Sequence, residues 1–272
     1  MGWDRVTDMD GPLLDSYLER IGTARPARPD AAALRELQLR HLLAVPFENL
    51  SIHLGEPIVL DQGALVDKVV RRRRGGFCYE LNGAFAALLS ALGFGVTLLA
   101  ARVFGPDGLG PPFDHLALRV DAGDAGSWLA DVGFGRHSHH PLRLELDAEQ
   151  ADPGGTFRIT ATADGDLDVS RDGEPQYRAE PRARQLGDFE ATCWWHQTSP
   201  RSHFTRSLVC SMLTETGRVT LSDRTLVETT GDRRRERTLT GDAEVLDAYR
   251  RRFGIVLDRV PPPPGTPPAR PA

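Results

Sequence analysis

Three side chains in this sequence can together activate a nucleophile: the thiol of Cys78, the imidazole of His115 and the carboxylate of Asp131. A free thiol, with a pKa of about 8.5, is only a few per cent ionised at neutral pH. An imidazole beside it can take the proton. A carboxylate on the far ring nitrogen then fixes the tautomer and stabilises the imidazolium. Cys78 follows Gly75-Gly76-Phe77, and two glycines allow the backbone to approach a substrate carbonyl closely. His115 opens an alternating apolar run, and Asp131 stands near the end of the next one, just before Val132-Gly133-Phe134-Gly135. Each residue alone has an ordinary use: a small buried thiol, a half-buried histidine, an aspartate satisfying a turn. Together they form a nucleophile, a base and an orienting group.

The surrounding pattern supplies the elements that would position them. Leu81, Phe85, Leu88, Leu89 and Leu92 recur at the helical period, and Gly93 is a stop. This predicts a helix with Cys78 in its first turn, where unpaired N–H groups favour the thiolate and lower its pKa. Upstream, Leu13, Leu14, Tyr17, Leu18 and Ile21 form one helical face ended by Gly22. Asp30 can cap a second helix carrying Leu34, Leu37 and Leu42. Asp61 can cap a third, carrying Leu65, Val66, Val69 and Val70. After Gly93 the period becomes two. Residues 96–104, 115–120 and 127–132 read as strands, followed by short ones at 142–146, 156–162, 167–170 and 175–178, which predicts a small antiparallel sheet or barrel. Pairing of the second run with the third would set His115 and Asp131 side by side. Strands at 207–212, 219–221 and 225–230 follow, then a helix capped by Asp242, bearing Leu246, Tyr249 and Phe253 and closed by Gly254.

Composition narrows the function. The chain has 272 residues, 40% hydrophobic and 26% charged, with a net charge of −5. That reads as a globular protein with no support for a nucleic-acid or anionic-membrane partner. Its longest apolar stretches, of about ten residues, are too short to span a bilayer. The N-terminus lacks an apolar signal core, and three sparse cysteines fit a reducing compartment, so the expected location is cytoplasmic. The proline-rich tail, 261–272, is expected to be disordered.

Other features carry less. Arg71–Arg74 and Arg233–Arg235 read as solvated basic runs, with Arg74 a candidate for holding the glycine turn. His137-Ser138-His139-His140 could ligate a transition metal, but no Cys, Asp or Glu at useful spacing completes a site, so no metal is expected. The glycine-rich stretch 105–110 lacks the strand-then-helix setting of a phosphate loop and reads as a flexible loop ahead of His115. Cys193 and Cys210 read as structural.

Four motifs, in order, resemble the arylamine N-acetyltransferases: VPFENLS (45–51), RRGGFCYELN (73–82), HLAL (115–118) and DVGFG (131–135). Thr198-Ser199-Pro200 and Ser202-x-Phe204 resemble a later family segment. The resemblance runs from about residue 17 to 253. It places the family's catalytic cysteine, histidine and aspartate on Cys78, His115 and Asp131. It implies an α+β fold: an N-terminal helical bundle (1–93), a central antiparallel β-barrel (94–190) and a C-terminal α/β lid (191–260) around a papain- or transglutaminase-like Cys-His-Asp core. The implied reaction is ping-pong transfer of acetyl from acetyl-CoA, through acetyl-cysteine, to an arylamine, arylhydrazine or N-hydroxyarylamine. The alternative is an amide synthase of the same family that closes a macrolactam from a carrier-bound thioester. CoA contacts fall on Phe134 and Gly135. Phe77, Phe104 and Phe204, with Phe134, are candidate walls for a flat ring. The implied partners are small molecules, the chain acting as a monomer or homodimer. Two departures bear on acceptor preference: the exchanged aromatics in Phe77-Cys78-Tyr79, and the tryptophan-rich stretch 192–197.

Overall fold

A computed structural model describes residues 9–123 and 126–265; most of the proline tail, 266–272, lies outside them. The first segment forms helices α1 (Gly11–Ile21), α2 (Ala31–Ala44), α3 (Leu50–Leu54), α4 (Gln62–Val70) and α5 (Cys78–Ala91). Aspartates start three of them: Asp10, Asp30 and Asp61 each accept a hydrogen bond from the backbone N–H three residues on. Each satisfies one of the donors a helix start leaves unpaired. Gly22 ends α1 in the left-handed region, which a side chain would disfavour. Helix α5 is buried along most of its length, which is why its sequence is apolar nearly all round. The faces of α1, α2 and α4 pack around it in the largest core.

The middle of the chain is an antiparallel sheet of β2 (Gly95–Gly105), β3 (Gly108–Leu109), β4 (His115–Asp121), β5 (Ser127–Ala130), β6 (Leu142–Arg143), β7 (Glu149–Asp152), β8 (Gly155–Ala161), β9 (Leu167–Arg171) and β10 (Glu174–Arg184). The order β6-β5-β4-β2-β10-β9-β8-β7 curls into a nearly closed barrel. The Gln150 side chain joins the two edge strands, accepting from Arg143 N at 2.7 Å and donating to Arg143 O at 2.9 Å. Strand β4 is buried on both faces. Leu116, Leu118 and Val120 enter the helical core, while Ala117 points into the barrel with Leu99, Phe157, Val169 and Tyr177.

The last segment holds a 3₁₀ turn (Leu186–Phe189), α6 (Glu190–Thr198), α7 (His203–Arg206), strands β11 (Val209–Thr214), β12 (Gly217–Ser222), β13 (Thr225–Thr230) and β14 (Arg233–Thr238), and α8 (Asp242–Phe253). These four strands continue a sheet begun far upstream. A two-residue strand β1 (Phe47–Glu48) pairs with β11, Phe47 opposite Ser211, giving the order β1-β11-β12-β13-β14. The helical segment and the C-terminal sheet therefore share backbone hydrogen bonds. The architecture is α+β. The basic run at 233–235 is exposed and belongs to the edge strand β14. Charged arginines on an edge discourage pairing with another chain. Among the described residues, no helix is long and apolar enough to cross a membrane.

Candidate active site

Cys78 is the first residue of α5, as its spacing predicts, and the turn before it is built from buried charge. A Cβ on Gly75 would stand 1.8 Å from Pro46 O, so only glycine lets the turn pass β1. Glu80 accepts from Phe77 N at 3.2 Å and pairs with Lys68 at 2.5 Å, and Lys68 also donates to Ser51. Arg74 pairs with Glu48 at 3.0 Å and with Glu56. Burial raises the Glu48 carboxyl, but Arg74 and Lys68 more than offset this and hold it below its ordinary value. Glu80 stays above its ordinary value because burial outweighs Lys68. Leaving one of these charges buried alone would be costly, so the network fixes the turn.

Two segments carry His115 and Asp131 to the start of α5. The Tyr79 hydroxyl donates to Phe113 O at 2.7 Å and so pins the chain just before His115. His115 Nε2 lies 2.7 Å from Asp131 Oδ2, both side chains buried. They are not cross-strand neighbours, however. The β4–β5 register pairs Leu118 with Ala130 and Asp121 with Ser127. Extended by one residue, it sets Asp131 opposite Ala117, so the contact to His115 is diagonal along one face. Asn82, one turn into α5, makes that diagonal possible. It donates to Asp131 Oδ1 at 2.9 Å and to Leu116 O at 2.6 Å, and accepts from Val132 N at 2.9 Å. Gln38 accepts from Asp131 N at 3.2 Å. Gly133 lies directly on the cysteine: a Cβ there would be 2.7 Å from Cys78 Cα.

Cys78 and His115 share the wall of a cavity of about 1340 Å³ that runs between the barrel and the C-terminal sheet. Phe47, Phe134, Gly135 and Phe204 also line it, as does the 105–110 stretch, which forms the hairpin between β2 and β3. Two expected pocket walls do not reach it. Phe77 is fully buried beneath it, packed edge-on against Phe204 at 5.1 Å. Phe104 is absent from the lining and sits under the Arg178 guanidinium, 5.8 Å from its ring centre. Its neighbours Val103 and Gly105 line the cavity instead, because strand alternation turns Phe104 to the other face.

The electrostatics correct the expected effect of the helix start. Burial pushes the Cys78 thiol well above its ordinary value, and the Asp114 and Asp131 carboxylates add to this; only the Leu116 backbone hydrogen bond opposes them. Desolvation of the charged form is the largest of these causes. The Asp131 carboxyl also feels burial raising it, but the His115 ring and its hydrogen bond hold it below its ordinary value.

A sequence profile of the N-acetyltransferase family matches residues 30–260. The chain is 36% identical over 253 residues to the arylamine N-acetyltransferase of Mycolicibacterium smegmatis, covering 90% of this chain and 92% of that protein. The chain belongs to the arylamine N-acetyltransferase family. It is therefore an acyltransferase. A Salmonella typhimurium relative named arylamine N-acetyltransferase / N-hydroxyarylamine O-acetyltransferase is 37% identical over 218 residues, covering 78% of this chain and 77% of that one. The structure of the Mycobacterium marinum arylamine N-acetyltransferase in complex with CoA superposes with a TM-score of 0.81 at 34% identity, covering 89% of this chain and 92% of that one.

This arylamine N-acetyltransferase family member also holds site residues that its sequence does not advertise. Tyr177 of β10 packs tilted against His115, ring centres 5.2 Å apart, with its hydroxyl buried. His137 packs against Phe134, Phe157 and Tyr177. Neither of its ring nitrogens has a hydrogen-bond partner among the described residues, and burial pushes it down to about 4. His140 is tied to Asp152 at 2.8 Å. Among the described residues, no group of His, Cys, Asp or Glu has the arrangement of a metal site. Cys193 and Cys210 are buried free thiols. Asn82 was visible only as the last letter of a motif, and Tyr177 gave no signal at all, since β10 is an ordinary strand in sequence.

Proposed function

We propose that the protein transfers an acetyl group from acetyl-CoA to an aryl amine, aryl hydrazine or N-hydroxyarylamine by a ping-pong reaction through Cys78. In this reading His115 Nε2–H donates a hydrogen bond to Asp131 Oδ2, which leaves the lone pair of the ring on Nδ1. Nδ1 takes the proton of Cys78 as the sulfur attacks the thioester carbonyl. The bond from carbonyl carbon to the CoA sulfur then breaks, the proton passes from His115 to that sulfur, and CoA leaves as a thiol. In the second half, the acceptor nitrogen attacks the acetyl-Cys78 carbonyl. His115 takes a proton from the nitrogen, the carbon–sulfur bond breaks, and the Cys78 thiol is restored. Aryl amines and hydrazines are weakly basic and unprotonated at neutral pH, so they compete with water for the acyl group.

The observation that carries this reading is the shared cavity: Cys78 and His115 line one wall, and Asp131 holds the far ring nitrogen of His115 at 2.7 Å. The CoA complex of the M. marinum relative supports CoA as the donor, with Phe134 and Gly135 contacting it. Phe47, Phe134 and Phe204 offer apolar surface to an acceptor ring. The cavity exceeds the roughly 300–1,000 Å³ of ordinary ligand pockets. It could hold donor and acceptor together, or the carrier-bound chain of a macrolactam-forming amide synthase. One experiment separates the readings. The protein is incubated with acetyl-CoA and its intact mass measured, then aryl amines and hydrazines are added. The transferase reading expects one acetyl group on Cys78, lost on adding the amine with release of the acetylated product. No adduct from acetyl-CoA, or an adduct retained by a Cys78→Ala variant, would overturn it.

A further inference from the structure

The backbone enters β4 through an unfavourable conformation. Phe113, two residues before His115, has a φ of 61°. A bulky side chain disfavours this left-handed region, which glycine, asparagine and aspartate adopt more readily. Among the described residues, the other non-glycine positions with positive φ are Arg73, Asp147, Asp172 and Asp223, so Phe113 is the one aromatic among them. Its surroundings hold it there. The ring packs edge-on against Phe189 at 5.4 Å, and the Arg184 guanidinium lies over it, 4.9 Å from the ring centre. One residue earlier, Thr192 Oγ1 of α6 donates to Pro112 O at 2.9 Å.

The turn presents two successive carbonyls to one buried hydroxyl. Tyr79 Oη lies 2.7 Å from Phe113 O and 3.2 Å from Asp114 O. A hydroxyl has a single proton to donate, and the shorter contact marks Phe113 O as its main acceptor. Tyr79 is the second residue of α5 and is fully buried. Its ring is fixed edge-on to Phe77 at 5.0 Å and against Phe189 at 5.6 Å. Burial pushes its hydroxyl far above the ordinary value, and Cys78, Cys193 and Asp114 add to this, so it stays a donor. The Asp114 side chain continues the clamp. Its Oδ2 accepts from Val103 N at 3.2 Å, and its Oδ1 lies 3.1 Å from His196 Nε2, outside hydrogen-bonding angles. Asp114 O is also 3.9 Å from Cys78 Sγ. The helix that starts at the nucleophile thus grips the segment leading to His115 through the very next side chain.

We propose that Tyr79 is a positioning residue for the proton transfer: its hydroxyl holds Phe113 in the left-handed turn from which His115 enters β4, and so sets the reach of the His115 ring toward Cys78. The inference rests on His115 being the base for that thiol. A tyrosine that only filled the core would need some partner for its hydroxyl, and any carbonyl would serve. Here the partner is the carbonyl of the strained residue itself. Without the hydroxyl, residue 113 relaxes toward negative φ, which swings Asp114 and the first residue of β4. The exchanged aromatics at 77 and 79 matter for this reason: they put the phenol after the nucleophile, on the side that faces the turn.

Tyr79→Phe keeps the ring and removes one oxygen. It should slow alkylation of Cys78 by iodoacetamide at pH 7 about tenfold, as for one lost hydrogen bond, and move its pH dependence to more alkaline values. With acetyl-CoA, kcat should fall by a similar factor while KM stays unchanged. Phe113→Gly supplies a residue that takes the turn without strain. In that background the loss of the hydroxyl should change the alkylation rate by about threefold at most, the mark of two coupled positions. Where the glycine variant does not fold, Phe113→Asn, which also tolerates the left-handed region, takes its place. His115→Gln is measured alongside. If it is slow while Tyr79→Phe keeps the wild-type rate and pH profile, the base assignment stands and the positioning role is overturned. An equal loss with phenylalanine and with glycine at 113 also overturns it, because the hydroxyl then does not act through the turn. If His115→Gln alkylates at the wild-type rate, the base assignment itself fails and the role of Tyr79 with it.

Discussion

The Asn82 side-chain amide sits 2.9 Å from Asp131 Oδ1, so the helix that begins at Cys78 is tied directly to the carboxylate that lies 2.7 Å from His115 Nε2. The same side chain satisfies Leu116 O and Val132 N. Asn82→Ala leaves these buried groups each short of a partner and should cost about 1–3 kcal/mol of stability. The loosened Asp131 should also lower kcat more than it raises KM. Urea unfolding and steady-state kinetics check the two effects. A variant of normal kcat would show that Asn82 only holds the fold.

In the proposed reaction, activation of the buried thiol depends on His115. His115→Gln should slow alkylation of Cys78 by iodoacetamide at pH 7 by about 100-fold and move its pH dependence to more alkaline values, since burial holds the thiol well above its ordinary range. An unchanged alkylation rate would mean that the sulfur is ionised by some other group.

Gly133 has no room for a side chain, because a Cβ would lie 2.7 Å from Cys78 Cα and 2.8 Å from Asn82 Nδ2. Gly133→Ala should destabilise the fold by about 1–3 kcal/mol through overpacking and displace Asp131 from His115. A fall in kcat of tenfold or more with a lower Tm is the expected signature.

Removing one charge beneath the glycine turn should be worse than removing both. Lys68→Met leaves Glu80, with a side chain only 3% exposed, without its partner, at a cost of about 3–5 kcal/mol. The double variant Lys68→Met/Glu80→Leu should recover much of that loss. Equal stability of single and double variants would show that the pair is not coupled.

Acid should weaken the fold well above the carboxylate range. Burial lowers His41 to about 3 and His137 to about 4, against 6.5 for the free side chain. Between 6.5 and those values the unfolded chain binds protons that the folded chain does not, so stability falls as pH falls, by about 1.4 kcal/mol per pH unit for each histidine. Asp131, held below 3.8, contributes stability that is present above that pH and lost as pH falls toward its folded value. His137→Phe should flatten the slope between pH 6.5 and 4 by one proton, measured by urea unfolding across pH. An unaltered slope would place a proton on His137 in the native state.

Much of the fold and site was legible along the chain because it rests on local rules. Asp30 and Asp61 cap the helices they were expected to cap, and Gly22 and Gly254 end theirs. Helical and strand periods fixed which faces are apolar. Cys78, His115 and Asp131 stand out as candidates because their residue types and glycine-rich surroundings are written in short segments. The sequence did not announce α6, α7 or β14, whose polar composition carries no clear period.

What the sequence alone determined is therefore most of the elements and three residues whose types can react; the tertiary structure decided how they meet. Register placed Asp131 diagonal to His115, and Asn82 closed that gap. Strand alternation turned Phe104 away from the cavity, and packing sealed Phe77 beneath it. Burial, which depends on the whole fold, reversed the expected shift of the Cys78 thiol. Arg136 and Arg218, 82 positions apart in sequence (218 − 136), came to line one cavity. Caps and periods act over a few residues, whereas desolvation and strand pairing sum contacts from distant segments, and no local stretch encodes that sum.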